Sequence, residues 1–299
     1  MRSSSLLFSF KRLIKPIAYL HIPNLYKEID ILLFKECYAL EKIDGASSHI
    51  RWKDNKIAFH LGTGNYNNFV KLFDVENLEK KLKEDFFDRS VVINGEGYGG
   101  KIQHQSNMYG KELKFIVFDI RIDGMWLDVP NAEELTKSFG LEFVSYNKVS
   151  ADIETLNKER DLPSVQAKRN GIEDDKQREG IVIRPLIELR KNNGERVIAK
   201  HKTEEFRETK TKREVDPEKL KLLTESREIA EEWVTENRLD HVLSKLDNPE
   251  ELESIPDVIK SMIEDVYREG KDELVESKET RKAIGSKTVQ LYKARISKI

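Results

Sequence analysis

The sequence predicts an α+β fold: mainly antiparallel sheets with flanking helices, followed by a small all-helical C-terminal unit. Three observations carry this. Short strand-like runs bounded by turn residues dominate from about residue 30 to about residue 203. Few helix-period segments interrupt them. Beyond about Val215 the pattern changes to helix-length stretches broken near Pro217, Pro249, Pro256 and Gly270. The expected division is residues 1–213 and 214–299, and 299 residues are enough for two cores.

In chain order, CYALEKI, ASSHIRW and KIAFHLG read as strands, with Asp54-Asn55 and GTGN as turns. Asn77 to Phe87 has apolar residues at helical spacing. SVVINGEGYGG and ELKFIVFDIRI read as strands, and AEELTKSFG as a helix ending at Gly140. Lys158 to Lys176 is polar and weakly patterned. REGIVIRPL and ERVIAKHK are strands joined by a KNNGE turn. LKLLTESREIAEEWVTENRLDHVLSKL, IPDVIKSMIEDVYREGKDEL and SKETRKAIGSKTVQLYKARIS are the helical stretches of the tail.

Composition narrows the class. With 38% hydrophobic and 35% charged residues the chain reads as globular, and a net charge of -2 names no partner. The charge is unevenly placed. No acid precedes Glu28, while Arg2, Lys11, Arg12 and Lys15 do, and Arg281 to Ile299 holds six basic residues and no acid. Either end could meet phosphate or simply be solvated. Cys37 is the only cysteine, which excludes an intrachain disulfide and a cysteine-based zinc site and suggests a reducing compartment. No apolar run approaches the ~20 residues of a membrane span. A cytoplasmic location is expected; the Ser-rich, basic, acid-free start has the character of an organellar transit peptide, which is the alternative.

Lys42, in EKIDG at the end of a predicted strand, is the candidate nucleophile. A lysine amine attacks only when neutral, and its reference pKa of about 10.4 leaves it protonated at pH 7. Nearby cations would favour the neutral form and attract a phosphate. ERVIAKHK supplies such cations, because residues two apart on a strand share a face and Lys200 and Lys202 are therefore paired. Taken alone, KIDG is also what a surface lysine before a tight turn looks like, and ERVIAKHK what an ordinary half-exposed strand looks like. Between them stand Glu96 in NGEGYGG, Phe118 and Asp119 in FIVFDI, and Glu179 in REGIVIRP.

The ordered set Lys42-Ile-Asp-Gly, Glu96, Phe118, Glu179-Gly-Ile-Val and Lys200-His-Lys resembles the motifs of covalent nucleotidyltransferases: ATP-dependent DNA ligases, RNA ligases and mRNA capping enzymes. The resemblance implies a nucleotidyltransferase (adenylation) domain with ATP and Mg²⁺, or Mn²⁺, as cofactors. It implies that Lys42 attacks the α-phosphate and that Lys200 and Lys202 stabilise the phosphate charge. It also implies that Glu41, Arg51, Glu96 and Phe118 help bind the nucleotide, with Glu96 on the ribose and Phe118 on the adenine face. Glu179 would hold the metal, through water, as Mg²⁺ keeps most of its hydration shell.

A helical tail, where DNA ligases and capping enzymes carry an OB barrel, is similar to RNA ligases of the phage RNA ligase 2 and RNA-editing type. That implies RNA partners with 5′-phosphate and 3′-OH ends, a nicked duplex foremost, and a monomeric enzyme whose basic end, including Lys287, Lys293 and Arg295, touches nucleic acid. The chain departs from this type at two places. Asp44 stands where many such ligases have histidine, matching DNA ligases and capping enzymes instead, and Gly62 stands where a basic residue is usual, leaving Arg51 as its stand-in.

The alternatives are a minimal ATP-dependent DNA ligase, a capping guanylyltransferase, or a catalytically silent nucleic-acid-binding protein. Gly95-Glu-Gly97-Tyr-Gly-Gly100 fits a dinucleotide-binding GxGxxG, but the polar, Gly110-interrupted stretch after it makes a poor packing helix.

Overall fold

The computed structural model describes residues 19–104, 106–191, 193–207, 213–246, 252–271, 273–274 and 276–296. The basic, Ser-rich start of the sequence lies outside the described residues. The strands are β1 (Glu36–Lys42), β2 (Ala46–Lys53), β3 (Lys56–Leu61), β4 (Val91–Tyr98), β5 (Lys114–Ile122), β6 (Met125–Trp126), β7 (Tyr146–Ser150), β8 (Gly180–Pro185) and β9 (Ala199–Lys202). The helices are α1 (Tyr66–Val70), α2 (Val75–Phe86), α3 (Ser106–Tyr109), α4 (Val129–Ser138), α5 (Ile153–Arg160), α6 (Val165–Arg169), α7 (Pro217–Trp233), α8 (Glu236–Leu243), α9 (Ile255–Glu269) and α10 (Lys278–Ile296).

The strands form two sheets, ordered β7-β1-β8-β9 and β3-β2-β4-β5-β6, and every strand pair is antiparallel. This is the α+β class that the turn-bounded strands predict. The outer edge of β9 is covered by the segment before Tyr26: Lys200 N donates to Pro23 O and Leu25 N to Lys200 O, both at 2.8 Å.

Alternation gives the first sheet two unlike faces. Cys37 and Ala39 of β1, Ile181 and Ile183 of β8 and Ala199 of β9 join one apolar core with Leu223, Ala230, Leu239, Met262, Ile284 and Tyr292 of α7 to α10. The helical tail therefore lies against the back of this sheet. The opposite face carries Leu40 and Lys42 of β1, Val182 and Arg184 of β8, and Lys200 and Lys202 of β9, in register across the strands. Leu40 and Val182 belong to a second core, with Ile50, Trp52, Ile93 and Ile116 of the second sheet and Leu78 and Leu82 of α2.

Helix starts follow side-chain capping. Asp74, Asp128, Asp152, Ser164 and Thr235 each accept a backbone N–H three residues on. Two of these caps correct the sequence reading. The weakly patterned 158–176 stretch contains the end of α5 and all of α6, each too short to show a period but each led by a cap. The long run from Leu220 to Leu246 is two helices, because Thr235 takes an extended conformation and starts α8. The GxGxxG glycines lie in β4 and the turn after it, not before a packing helix. A Cβ at Gly95 would lie 2.2 Å from Ile116 O and 2.6 Å from the Phe115 ring, so this glycine serves close approach to β5, where the ladder shifts register.

Candidate active site

Lys42 is the last residue of β1 and stands opposite Gly180, the first of β8; Gly180 in turn stands opposite Lys202 of β9. The glycine is required there, since a Cβ would lie 2.2 Å from His201 O at a φ of +150°. Glu179, immediately before it, turns its carboxylate between the two lysines. Lys42 Nζ donates to Glu179 Oε2 at 2.8 Å, and Lys202 Nζ lies 3.0 Å from Oε1, with the Glu179 side chain only 5% exposed. Lys200 lies two residues before Lys202 on the same face of β9. The turn after Lys42 is held by Asp44 N donating to Tyr109 Oη at 3.3 Å.

The group nearest to Lys42 is thus a carboxylate, not the cations expected from ERVIAKHK. Among lysines placed on neighbouring strands, Glu179 is the compensating charge that lets them sit together. A nucleophilic Lys42 has to leave this pair.

Glu96 stands on β4, opposite Ser47, and faces the same space. Its Oε2 is buried with no hydrogen-bond partner among the described residues. Burial pushes the carboxyl up to about 8, Lys42 pulls it partly back, and Glu179 and Asp44 push it further up. Phe118 lies on β5 at the register shift. Its ring meets that of Tyr19 edge-on, with centroids 4.9 Å apart.

Beside it a buried ionic cluster ties the two sheets together. Asp119 of β5 accepts from Arg184 of β8 at 3.1 Å and from Arg196 at 2.6 Å, and Tyr19 Oη donates to it at 2.7 Å. Glu188 neutralises both arginines. Sequence reasoning singled out Asp119 but missed Arg184, whose signal was a lone cation inside the apolar run IVIRP.

Two expected nucleotide-binding residues stand apart. The Glu41 carboxylate faces away from Lys42 and is buried at the start of α6, where it accepts from Ser164 Oγ at 2.5 Å, Val165 N at 3.0 Å and Gln166 N at 3.2 Å. Arg51 is four residues along β2 from Ser47, about 14 Å at strand rise. Gly62, the departure that Arg51 was to offset, is packed on Ser47, whose O would lie 2.9 Å from an added Cβ. In the tail, Lys287 pairs with Glu231 at 2.7 Å, Arg295 pairs with Asp240, and Lys293 donates to Glu188 O at 3.0 Å. These three basic side chains are therefore engaged within the fold.

The family model of RNA ligases matches residues 35–202, from the start of β1 to the end of β9. The chain belongs to the RNA ligase family. Similar solved structures agree on the fold. A lysine-to-methionine variant of the RNA ligase of Naegleria gruberi with AMP and Mn superposes with a TM-score of 0.50 at 18% identity, covering 64% of this chain and 58% of that one. An arginine-to-alanine variant of the same ligase with ATP and Mn also gives 0.50 at 18% identity, covering 64% and 57%. This RNA ligase family member thus spans a little under three-fifths of those chains. No curated protein sequence matches it. Among the described residues, no helix is long and apolar enough to cross a membrane.

Proposed function

We propose that the chain is an ATP-dependent RNA ligase that seals 5′-phosphate and 3′-OH ends through a lysyl-AMP at Lys42. The observation that carries this is the Lys42–Glu179–Lys202 cluster at 2.8 and 3.0 Å, which brings three of the motif segments together. In the first step the neutral Lys42 amine attacks the α-phosphorus of ATP, the N–P bond forms, and pyrophosphate leaves with the electrons of the broken P–O bond. Lys200 and Lys202 hold charge on the phosphate. Glu96 Oε2, buried without a partner among the described residues, suits a ribose hydroxyl, and Phe118 suits the face of the base. In the second step an oxygen of the RNA 5′-phosphate displaces Lys42 from AMP. In the third, the 3′-OH attacks that 5′-phosphate and AMP departs.

The donor set fits a divalent cation of the Mg²⁺ or Mn²⁺ kind. Among the described residues, no group of three or more His, Cys, Asp or Glu could hold a metal, but Glu179 offers a single carboxylate, as suits an ion that keeps most of its waters. When bound, it would neutralise phosphate charge.

The all-helical described tail supports RNA ligase over the DNA ligase and capping alternatives. In this reading residues 1–213 perform adenylylation and 214–299 serve the later steps, in a monomer acting on a nicked duplex. A reducing cytoplasmic setting suits Cys37, buried as a free thiol.

The test is incubation with ATP labelled at the α-phosphate, then sealing of nicked RNA, hybrid and DNA duplexes. Label on Lys42 and joining at RNA 3′-OH ends are expected. No covalent AMP sinks the enzymatic reading, and joining at DNA ends alone moves it to DNA ligase.

A further inference from the structure

The face of the second sheet that carries Glu96 continues outward along the β2–β3 hairpin, and there its side chains turn basic. Ser47 stands opposite Glu96, so alternation places His49, Arg51 and Lys53 of β2 on the same face. The register adds His60 opposite His49 and Lys56 opposite Lys53 on β3. It also adds Arg121 of β5, which shares Val92 as a neighbour with Arg51. Neither β2 nor β3 contains an Asp or Glu. The hairpin is closed by Asp54 and Asn55 at φ of 53° and 55°, the left-handed pair of a tight two-residue turn.

Folding alone does not account for this arrangement. Among the described residues the side chains of Arg51, Lys53 and His60 make no hydrogen bond or ion pair, and Arg51 Nε is buried without an acceptor. His49 and His60 stack with ring centroids 4.8 Å apart and planes 26° from parallel. Burial first, and then the charges of His60, Arg51 and Arg121, hold His49 down to about 4.

A buried donor without an acceptor, on a pair of strands that carry no acid, fits an anionic ligand. The ligand is not the nucleotide. With its α-phosphate at Lys42 and its base at Phe118, ATP has only two further phosphates, which do not bridge the ~14 Å along β2 from Ser47 to Arg51. A chain of phosphates does.

We propose that this hairpin face, Arg51, Lys53, Lys56 and His60 with Arg121 beside it, is a docking track for the sugar–phosphate backbone of one polynucleotide substrate strand, leading its end toward Lys42. The proposal rests on the ligase reading above and adds the surface that receives the strand. Arg51 and Arg121 flank Val92 and meet phosphates, and the lysines extend the field to the hairpin tip.

The experiment is equilibrium binding of a short, labelled, 5′-phosphorylated single-stranded RNA to the full chain without ATP, over a series of salt concentrations. Wild-type affinity is expected to fall with salt, and Arg121→Gln and Lys53→Gln are each expected to weaken binding and reduce the log–log salt slope by about 0.7, as loss of one single-strand phosphate contact does. Lys53→Glu, at an exposed site that leaves packing intact, is expected to weaken binding further. Unchanged affinity and slope in the Arg121→Gln/Lys53→Glu double variant overturn the track. Capture by phosphatidylserine vesicles in place of RNA overturns it as well. Adenylylation of the wild type, measured in parallel with labelled ATP, separates the two readings: absent lysyl-AMP counts against the ligase, whereas normal lysyl-AMP with unaltered variant binding counts against the track alone.

Discussion

The two faces of the first sheet are built from alternate residues of the same strands and are held by opposite physics. The back face, with Cys37, Ala39, Ile181, Ile183 and Ala199, is closed by the helices of the tail in a continuous apolar core. The front face is closed by charges: Glu179 between Lys42 and Lys202, and Asp119 between Arg184 and Arg196. Apolar packing is non-directional and tolerates small shifts, so the back supplies stability. Buried ion pairs add little net stability but fix geometry, and a single lost partner strands the other charge. The front therefore positions atoms, and the back holds the fold together.

Lys42→Ala gives the largest expected effect. It removes the proposed nucleophile without removing core, so labelled AMP incorporation should fall to background while the thermal melting point stays within a few degrees. A large drop in melting point would mean that the cluster is structural first. Asp119→Ala comes next. It leaves Arg184 and Arg196 buried with only Glu188 as acid and is expected to cost about 3–5 kcal/mol in denaturant unfolding. Nucleotide affinity measured on the folded fraction should also drop, because Asp119 adjoins Phe118.

Ile183→Ala, on the back face, is expected to cost about 2–5 kcal/mol through lost burial and a cavity. Adenylylation per folded molecule should be unchanged; a parallel loss of rate would show that the two faces are not separable.

Glu96→Gln is the smallest change and is read through pH. Native Glu96 keeps its proton up to about 8, against an ordinary value near 4.5. Between those values the folded chain binds more protons than the unfolded one, so wild-type stability should decline as pH rises through that window. The Gln variant should show a flatter melting-point profile between pH 5 and 8.

Most of the elements and the cluster itself were legible in the sequence. Lys42, Glu179 and Lys202 announced themselves by order and residue type, and the strands by alternation. The basic strip was legible in principle as well, since HIRWK alternates His49, Arg51 and Lys53 on one side, but a strand with a solvated polar face reads the same until the register places Glu96 beside it. The Arg184–Asp119–Arg196 cluster was not legible, because its members are far apart in sequence and meet only when the sheets pack. Glu41 shows the limit from the other side: it adjoins Lys42 in sequence, and strand alternation sends its carboxylate to α6 instead.

By itself, the sequence determined the α+β class and the helical tail and singled out Lys42 as the candidate nucleophile, because period and residue chemistry are local properties. Only the tertiary structure decided what each charge faces. The Glu179 carboxylate, rather than the expected cations, is the partner of Lys42; Lys287, Lys293 and Arg295 are engaged within the fold; and the two strands of the hairpin carry bases without acids. Pairing across sheets depends on distances that no local pattern encodes.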